Sequence, residues 1–166
     1  MIAKPILRDT ADRERCPTGI DGLDNILSGG IPRGNTVLLT GSCGTGKTSV
    51  SLEFLVHGAI GGETCLFLSV TENSAKLLKN IIPYEFFDES LIKKGKLIFV
   101  DMPVIYQKLG LQSIEFNMED VDILVKAIGN IVTELNIKRL VIDSITSVCY
   151  RLRTEEKIRE FILRLG

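Results

Sequence analysis

The sequence predicts an α/β protein in which a mostly parallel sheet is covered by helices on both faces. Short, continuously apolar runs alternate along the chain with stretches in which apolar residues recur at helical spacing. That alternation is typical of parallel strands joined by helical crossovers. A glycine-rich loop, residues 41–46, follows the first apolar run and opens the first helical stretch. Right-handed crossovers would bring the carboxyl ends of the strands to one edge, where such folds bind ligands.

Length and composition are those of one soluble domain. The chain has 166 residues, 25% of them charged, and a formal net charge of −1, which disfavours a dominant basic face for nucleic acid. The apolar stretches are only of strand length and no signal-peptide core is seen, so we expect a cytoplasmic protein without membrane contact. The four cysteines form no C-x-x-C pair, which disfavours a zinc site or a disulfide framework.

The individual elements follow from hydrophobic spacing and from residues that begin or end helices. Strands are predicted at residues 36–40, 63–70, 96–100 and 139–142. Helices are predicted at residues 48–57, 73–80, 118–135 and 155–165, with a turn or two of helix between 86 and 93. Asn73 is a suitable N-cap, and Pro83 ends the helix that it opens. Residues 103–117 are polar and poorly periodic, which predicts a surface loop.

The most specific motif is G-S-C-G-T-G-K-T at residues 41–48, which fits G-x-x-x-x-G-K-[ST] between a predicted strand and a predicted helix. Glycines let the backbone N–H groups converge on an anion, and the helix adds its own N–H groups and dipole. Lys47 supplies a charge toward the β- and γ-phosphates, and the Thr48 hydroxyl is placed to ligate Mg²⁺. The predicted triphosphate site comprises Gly41, Ser42, Cys43, Gly44, Thr45, Gly46, Lys47, Thr48 and Ser49. We interpret Cys43 as a small residue tolerated in the loop, with a redox-sensitive thiol as the alternative.

Two carboxylates at predicted strand ends complete this site. Asp143 follows the apolar strand 139–142 and matches an acid that holds Mg²⁺ through water, its alternative being a cap of the next turn. Glu72 follows the second strand and could orient or deprotonate an attacking water, its alternative being an exposed acid in a capping turn. Glu72 and Lys47 are therefore the candidate catalytic residues. His57, the only histidine, is interpreted as a helix-end residue.

The segment ahead of the glycine-rich loop carries a family resemblance. Residues 18–34 read T-G-I-D-G-L-D-N-I-L-S-G-G-I-P-R-G. This resembles the KaiC-like branch of the RecA/RadA ATPase superfamily, which typically reads T-G-I-x-x-L-D-x-x-L-x-G-G-I-P-x-G there, and residues 139–147 look like its Walker-B segment. The resemblance implies one RecA-like P-loop ATPase domain over residues 1–166, with 1–17 as a lead-in. The family's C-terminal strands are absent, so the chain is either a compact variant or a truncated piece of a longer protein.

The resemblance also implies cofactors and partners. ATP and Mg²⁺ would be bound by Lys47 and Thr48, with Asp143 as the Walker-B acid and Glu72 as the catalytic glutamate. Family members often form hexameric rings with ATP at subunit interfaces, which implies a homo-oligomer that binds ATP and ADP. Two departures lower the expected turnover: clock members carry two adjacent acids where this chain has Thr71 and Glu72, and the regions that reach a neighbour's phosphates would lie beyond Gly166.

The leading hypothesis is a KaiC-like ATP-binding protein whose slow, Mg²⁺-dependent ATP hydrolysis is coupled to assembly or signalling. A RadA-like DNA recombinase or repair ATPase is the first alternative, but it needs a basic DNA-binding surface that the composition does not favour. A non-enzymatic nucleotide sensor is the second, and Thr71 supports it. The sequence has no N-K-x-D motif for a guanine base, which favours ATP over GTP.

Overall fold

Strands and helices alternate along most of the chain. The computed structural model describes residues 14–70, 72–108, 121–152 and 154–165. The strands are β1 (Arg15–Cys16), β2 (Ile31–Pro32), β3 (Cys65–Ser69), β4 (Leu97–Asp101) and β5 (Arg139–Asp143). The helices are α1 (Leu23–Ile26), α2 (Lys47–Ile60), α3 (Ser74–Ile81), α4 (Ser90–Lys93), α5 (Met102–Lys108), α6 (Val121–Glu134), α7 (Ile145–Leu152) and α8 (Glu155–Leu165).

A three-stranded parallel sheet in the order β4-β3-β5 forms the centre of the fold. Every residue of β3 is buried, as expected for a parallel strand that is paired on both sides and covered on both faces. Ser69 pairs with Asp101 on one side and with Asp143 on the other, so the three strands end level. We call the edge formed by these three residues the carboxyl edge of the sheet.

Two apolar clusters pack against opposite faces of the sheet. Phe67 belongs to a cluster with residues of α2, α3 and α4, whereas its neighbour Leu68 packs with residues of α5, α6, α7 and α8. Adjacent strand residues point to opposite faces, so the two clusters lie on either side of β3. The predicted α/β class, with helices on both faces of a parallel sheet, is therefore confirmed.

Most predicted elements are found with shifts of a few residues at their ends. Strands β3, β4 and β5 occupy the predicted strands 63–70, 96–100 and 139–142. Helix α3 begins after Asn73, whose side chain accepts a hydrogen bond from Ala75 N at 2.9 Å. Helix α6 buries Val121, Leu124 and Ile128 at the predicted spacing, and α8 has the predicted bounds. His57 lies in the last turn of α2, as expected.

The predicted first strand at residues 36–40 is wrong. These residues form no strand, and the side chains of Val37, Leu38 and Leu39 are 60%, 64% and 45% exposed. Apolar and β-branched residues favour extended backbone, but a strand also needs a neighbour that completes its hydrogen bonds. Among the described residues no strand is hydrogen-bonded to this segment.

Helices α5 and α7 were not predicted, nor was the single turn α1. Residues 103–117 were predicted as a surface loop, yet residues up to 108 belong to α5, which buries Met102 and Ile105; residues 109–117 lie outside the described part of the chain. Pro103 is compatible with this helix because it falls in the first turn, where its missing N–H is not needed. The segment after Asp143 forms α7, which buries Val148 and Leu152. Both helices are short, so few apolar residues repeat within them.

The segment ahead of the glycine-rich loop, residues 15–34, folds against the sheet and α2. Strands β1 and β2 pair antiparallel, and the Asp24 carboxylate accepts hydrogen bonds from Thr18 N, Thr18 Oγ1 and Gly19 N. Burial alone would raise the pKa of Asp24, but these hydrogen bonds outweigh it and lower that pKa. In the T-G-x-x-x-x-D pattern of the resemblance, the aspartate thus stabilises the turn that begins at the threonine and glycine.

A partly buried ion pair ties this segment to the amino end of the sheet. Arg139, the first residue of β5, pairs with Glu63 and also donates hydrogen bonds to Pro17 O at 2.7 Å and Phe54 O at 2.9 Å. Its guanidinium lies over the Phe54 ring, 4.7 Å from the ring centre. Glu63 also pairs with Arg33. Burial would raise the pKa of Glu63, but the hydrogen bonds from Arg139 and Arg33 outweigh it and lower that pKa.

Candidate functional site

The glycine-rich loop ends at the N-terminus of α2 with a backbone that only glycine adopts easily. Gly44 and Gly46 have φ values of 79° and 83°, and Gly46 is the N-cap of α2. Thr45 Oγ1 donates a hydrogen bond to Ser42 O at 2.9 Å, which braces the turn. Within the described part of the chain, no side chain caps the start of α2. The first N–H groups of this helix are therefore available to an anion, in contrast to those of α3, which Asn73 caps.

Lys47 places its positive charge on this loop. Its Nζ donates hydrogen bonds to Gly41 O at 2.9 Å and to Ser42 O at 2.7 Å. The loop residues are exposed, and Lys47, Thr48 and Ser49 in the first turn of α2 are half-buried. Cys43 is among the exposed loop residues. The exposed loop, the ammonium group and the helix N-terminus thus bring positive charge and free N–H groups together at the start of α2.

Thr48 and Asp143 meet although 95 positions separate them in the sequence. Thr48 Oγ1 donates a hydrogen bond to Asp143 Oδ2 at 2.6 Å. Thr48 comes from the first turn of α2, and Asp143 ends β5 at the carboxyl edge; the peptide bond that follows Asp143 is cis. A hydroxyl and a carboxylate are oxygen donors of the kind that Mg²⁺ prefers. The donor set predicted for the metal therefore fits a hard divalent cation.

Glu72 lies on the same edge but in a different environment. Its carboxylate is 3.3 Å from Lys76 Nζ, and its side chain is 39% exposed. Its carbonyl oxygen accepts a hydrogen bond from the buried hydroxyl of Ser69. Val70 N donates to Asp143 O at 2.8 Å, which holds the start of this segment against the end of β5. The structure thus places Glu72 near the end of β3 and pairs it with Lys76 rather than with the loop; Thr71 lies outside the described residues.

Asp101 is a further carboxylate at this edge, and it was not singled out from the sequence. It ends β4, and its Oδ1 accepts a hydrogen bond from Ser74 N at 2.9 Å. A signal was present, since Asp101 follows an apolar strand just as Asp143 does. The sequence alone did not show that the end of β4 lies beside the start of α3, because this proximity depends on the order of the strands in the sheet.

None of the helices in the described ranges combines the length and the apolar character that a membrane-spanning helix requires.

Comparison with known proteins places the chain in a family. The family model described as "ATPase: KaiC" matches residues 16–166. The circadian clock oscillator protein KaiC of Thermostichus vulcanus is 31% identical over 168 aligned residues, which cover 99% of this chain and 31% of that protein. A UPF0273 protein of Thermotoga maritima is 34% identical, over 81% of this chain and 57% of that protein. The chain thus spans from about a third to somewhat over half of the length of these relatives.

A solved structure supports the same assignment. The crystal structure of a KaiC-like protein from Pyrococcus horikoshii OT3 superimposes with a TM-score of 0.71 at 37% sequence identity, covering 92% of this chain and 63% of that one. The fold, the motif that opens α2 and the matched family model agree. The chain belongs to the KaiC family of ATPases, within the RecA superfamily.

Proposed function

We propose that this chain, as one ATPase domain, binds ATP with Mg²⁺ at the glycine-rich loop and hydrolyses it slowly. The observation that carries the proposal is the contact between Thr48 and Asp143 beside the uncapped start of α2. It joins an anion site to a pair of oxygen donors. Membership of the KaiC family supports the same nucleotide.

Each part of the site has a separate task in this proposal. The loop N–H groups and the N-terminus of α2 bind the phosphates, and Lys47 neutralises charge on the β- and γ-phosphates. Thr48 and Asp143 would hold Mg²⁺, which would supply further neutralisation of the phosphate charge. Glu72 orients the attacking water or accepts its proton once it leaves its ion pair with Lys76.

We further propose that hydrolysis is coupled to assembly or signalling in a homo-oligomer that binds ATP and ADP. The support is family membership, since the resemblance implies hexameric rings. Nucleic acid is not a favoured partner because the net charge is near zero. A cytoplasmic location remains our expectation from the sequence.

The test measures phosphate release from ATP with Mg²⁺, and nucleotide affinity by calorimetry, for the wild type and for Lys47→Ala and Glu72→Gln. Lys47→Ala is expected to abolish binding, and Glu72→Gln to keep binding while turnover falls by about 10²–10⁴-fold, the range for loss of a general base. Lys93→Ala, which removes an exposed lysine from α4, is the control and should leave both quantities unchanged. Absence of ATP binding in the wild type would refute the proposal.

A nucleotide sensor without turnover is the second candidate. The observation that favours it is the ion pair of Glu72 with Lys76, which occupies the carboxylate that hydrolysis would need. Tight ATP binding with no phosphate release in the wild type, and none in Lys76→Ala, would support the sensor. Turnover that increases in Lys76→Ala would instead show that the ion pair restrains an active glutamate.

A further inference from the structure

Asp101 ends β4 at the carboxyl edge of the sheet, and its side chain contacts a different element. Its Oδ1 accepts a hydrogen bond from Ser74 N at 2.9 Å, although the two residues are 27 positions apart. Asp101 is in register with Ser69, the last residue of β3. Its carboxylate therefore reaches from the end of β4 to the first residue of α3.

This contact adds to the cap that α3 already has. The N-cap residue Asn73 accepts the N–H of Ala75 at 2.9 Å, while the N–H of Ser74 goes to Asp101. Helix N-termini leave several N–H groups without partners, and a carboxylate there also interacts favourably with the helix dipole. The start of α3 is thus held by one acceptor from its own segment and by one from the neighbouring strand.

Glu72 lies between β3 and α3, and hydrogen bonds hold the residues on both sides of it. At its start, Val70 N donates to Asp143 O at 2.8 Å, and the Ser69 hydroxyl donates to Glu72 O. At its end, Asp101 holds Ser74, two residues after Glu72. The direction of the Glu72 side chain depends on where α3 begins, and Asp101 holds that position from β4 together with the Asn73 cap.

We propose that Asp101 is a positioning residue that holds Glu72 in place for ATP hydrolysis; the inference rests on the function proposed above. Asp101 acts through Ser74 and the start of α3, and it contacts neither the phosphates nor the attacking water. Misplacing a catalytic group by about 1 Å can lower a rate by about 100-fold. The nucleotide contacts come from the glycine-rich loop and Thr48, so they persist when Asp101 is replaced.

The experiment measures steady-state ATP hydrolysis with Mg²⁺ for the full chain and for Asp101→Ala, Asp101→Asn and Glu72→Gln. We expect Asp101→Ala to lower kcat by about 10- to 100-fold while KM for ATP stays within about twofold. Asp101→Asn keeps an oxygen that accepts the Ser74 N–H, so it is expected to recover most of kcat. In a Glu72→Gln background, Asp101→Ala is expected to cause no further loss, because the residue that it positions is already disabled.

Asp88 provides a matched control. Its carboxylate accepts hydrogen bonds from Ser90 N and Ser90 Oγ, both at 2.8 Å, at the start of α4, a helix that leads into the amino end of β4. Asp88→Ala therefore also removes a carboxylate from a helix N-terminus, but away from the carboxyl edge. It is expected to leave kcat and KM unchanged.

The outcomes separate this inference from the proposed function. If Glu72→Gln loses turnover but Asp101→Ala keeps wild-type kcat, the inference fails alone. It also fails alone if Asp101→Ala lowers kcat by the same factor in the Glu72→Gln background, or if Asp88→Ala lowers kcat as much. A wild type without turnover, or Glu72→Gln with full turnover, overturns the proposed hydrolysis and the inference with it. Should Asp101→Ala not fold, Asp101→Ser takes its place with the same expected split between kcat and KM.

Discussion

Arg139 shows how one side chain can organise the end of the sheet that lies away from the glycine-rich loop. Its guanidinium joins Glu63 before β3, Pro17 in the lead-in and Phe54 in α2. Although Arg139 is only 5% exposed, its charge is compensated by an ion pair, two carbonyl oxygens and an aromatic ring. Removing a partner from such a group is costly, because a buried charge is left without compensation.

Gly58 in α2 makes room for this arginine. A Cβ at Gly58 would lie 2.3 Å from Arg139 Nε and 2.5 Å from Arg139 Cδ, and moving the arginine would break its hydrogen bonds. We therefore expect Gly58→Ala to destabilise the protein by about 1–3 kcal/mol, the range for overpacking, despite the better helix propensity of alanine. Urea unfolding measures this change.

Gly129 in α6 is the matched control for Gly58. Nothing lies within 4 Å of a Cβ added there, so Gly129→Ala is expected to stabilise the protein by up to about 1 kcal/mol. Equal stability of the two variants would show that Arg139 yields to a methyl group without loss.

Glu63 makes stability depend on acid pH. Its pKa in the folded protein lies below the ordinary value of 4.5, so its contribution is complete above that value and is lost as the pH falls through the lowered folded pKa. We expect Glu63→Gln to reduce the free energy of unfolding by about 1.5–3 kcal/mol at pH 7. The difference from the wild type should shrink as the pH falls below 4.5.

Urea unfolding between neutral and acid pH tests this expectation. Glu85→Gln, which changes an exposed glutamate, is the control and should follow the wild type at every pH. A constant difference between Glu63→Gln and the wild type over the whole range would contradict the sign worked out here.

At the scale of the elements, the helices α2 and α3 illustrate two ways of beginning. Helix α3 is capped by Asn73 and by Asp101, whereas α2 begins at Gly46 without a side-chain cap. An uncapped N-terminus beside a lysine is poorly satisfied by the protein alone, which makes it suitable for an anionic ligand. The cap at Asn73 and the motif that opens α2 could both be predicted, because each depends on a few consecutive residues.

Segment 36–40 shows where local sequence is insufficient. Its apolar residues have the propensity of a strand but lie exposed, whereas the equally apolar β3 is buried. Propensity does not distinguish the two segments, since the difference arises from pairing with neighbours that are distant in sequence. The short helices α5 and α7 were not predicted for a related reason. Each is too short to show a long periodic pattern, so which of its residues are buried depends on packing against the rest of the fold.

Leucine replacements test this contrast. Leu68 is 1% exposed in β3, so Leu68→Ala is expected to cost about 2–5 kcal/mol of unfolding free energy through lost burial and a cavity. Leu38 is 64% exposed, so Leu38→Ala, the matched control, is expected to cost less than about 1 kcal/mol. A loss at Leu38 as large as that at Leu68 would show that segment 36–40 is buried in solution.

At the scale of the whole molecule, the sheet joins parts that are remote in sequence at its two ends. The carboxyl edge gathers Thr48, Glu72, Asp101 and Asp143, and the amino end gathers Glu63 and Arg139. Two apolar clusters hold the helices on opposite faces, so the same strands support both ends. A ligand that bridges α2 and β5 at the carboxyl edge is therefore expected to stabilise the entire fold.

Thermal unfolding with and without nucleotide tests this linkage. With ATP and Mg²⁺ at about 100 times Kd, the folded state is expected to gain about 2.7 kcal/mol, which raises Tm by about 2–4 °C for each kcal/mol in a domain of this size. Lys47→Ala should unfold at the same temperature with and without nucleotide. An equal rise of Tm in wild type and Lys47→Ala would place binding elsewhere.

The α/β class, the glycine-rich loop and most helices were accessible from sequence because they depend on local spacing, local propensity and contiguous motifs. Even Asp143 could be placed, since an acid that ends an apolar strand lies at a predictable edge. The contact of Thr48 with Asp143, the pairing of Glu72 with Lys76 and the reach of Asp101 to Ser74 needed the folded chain. Strand order, register and packing bring these atoms together. Contacts between residues that are distant in sequence produce no local spacing pattern from which they could be predicted.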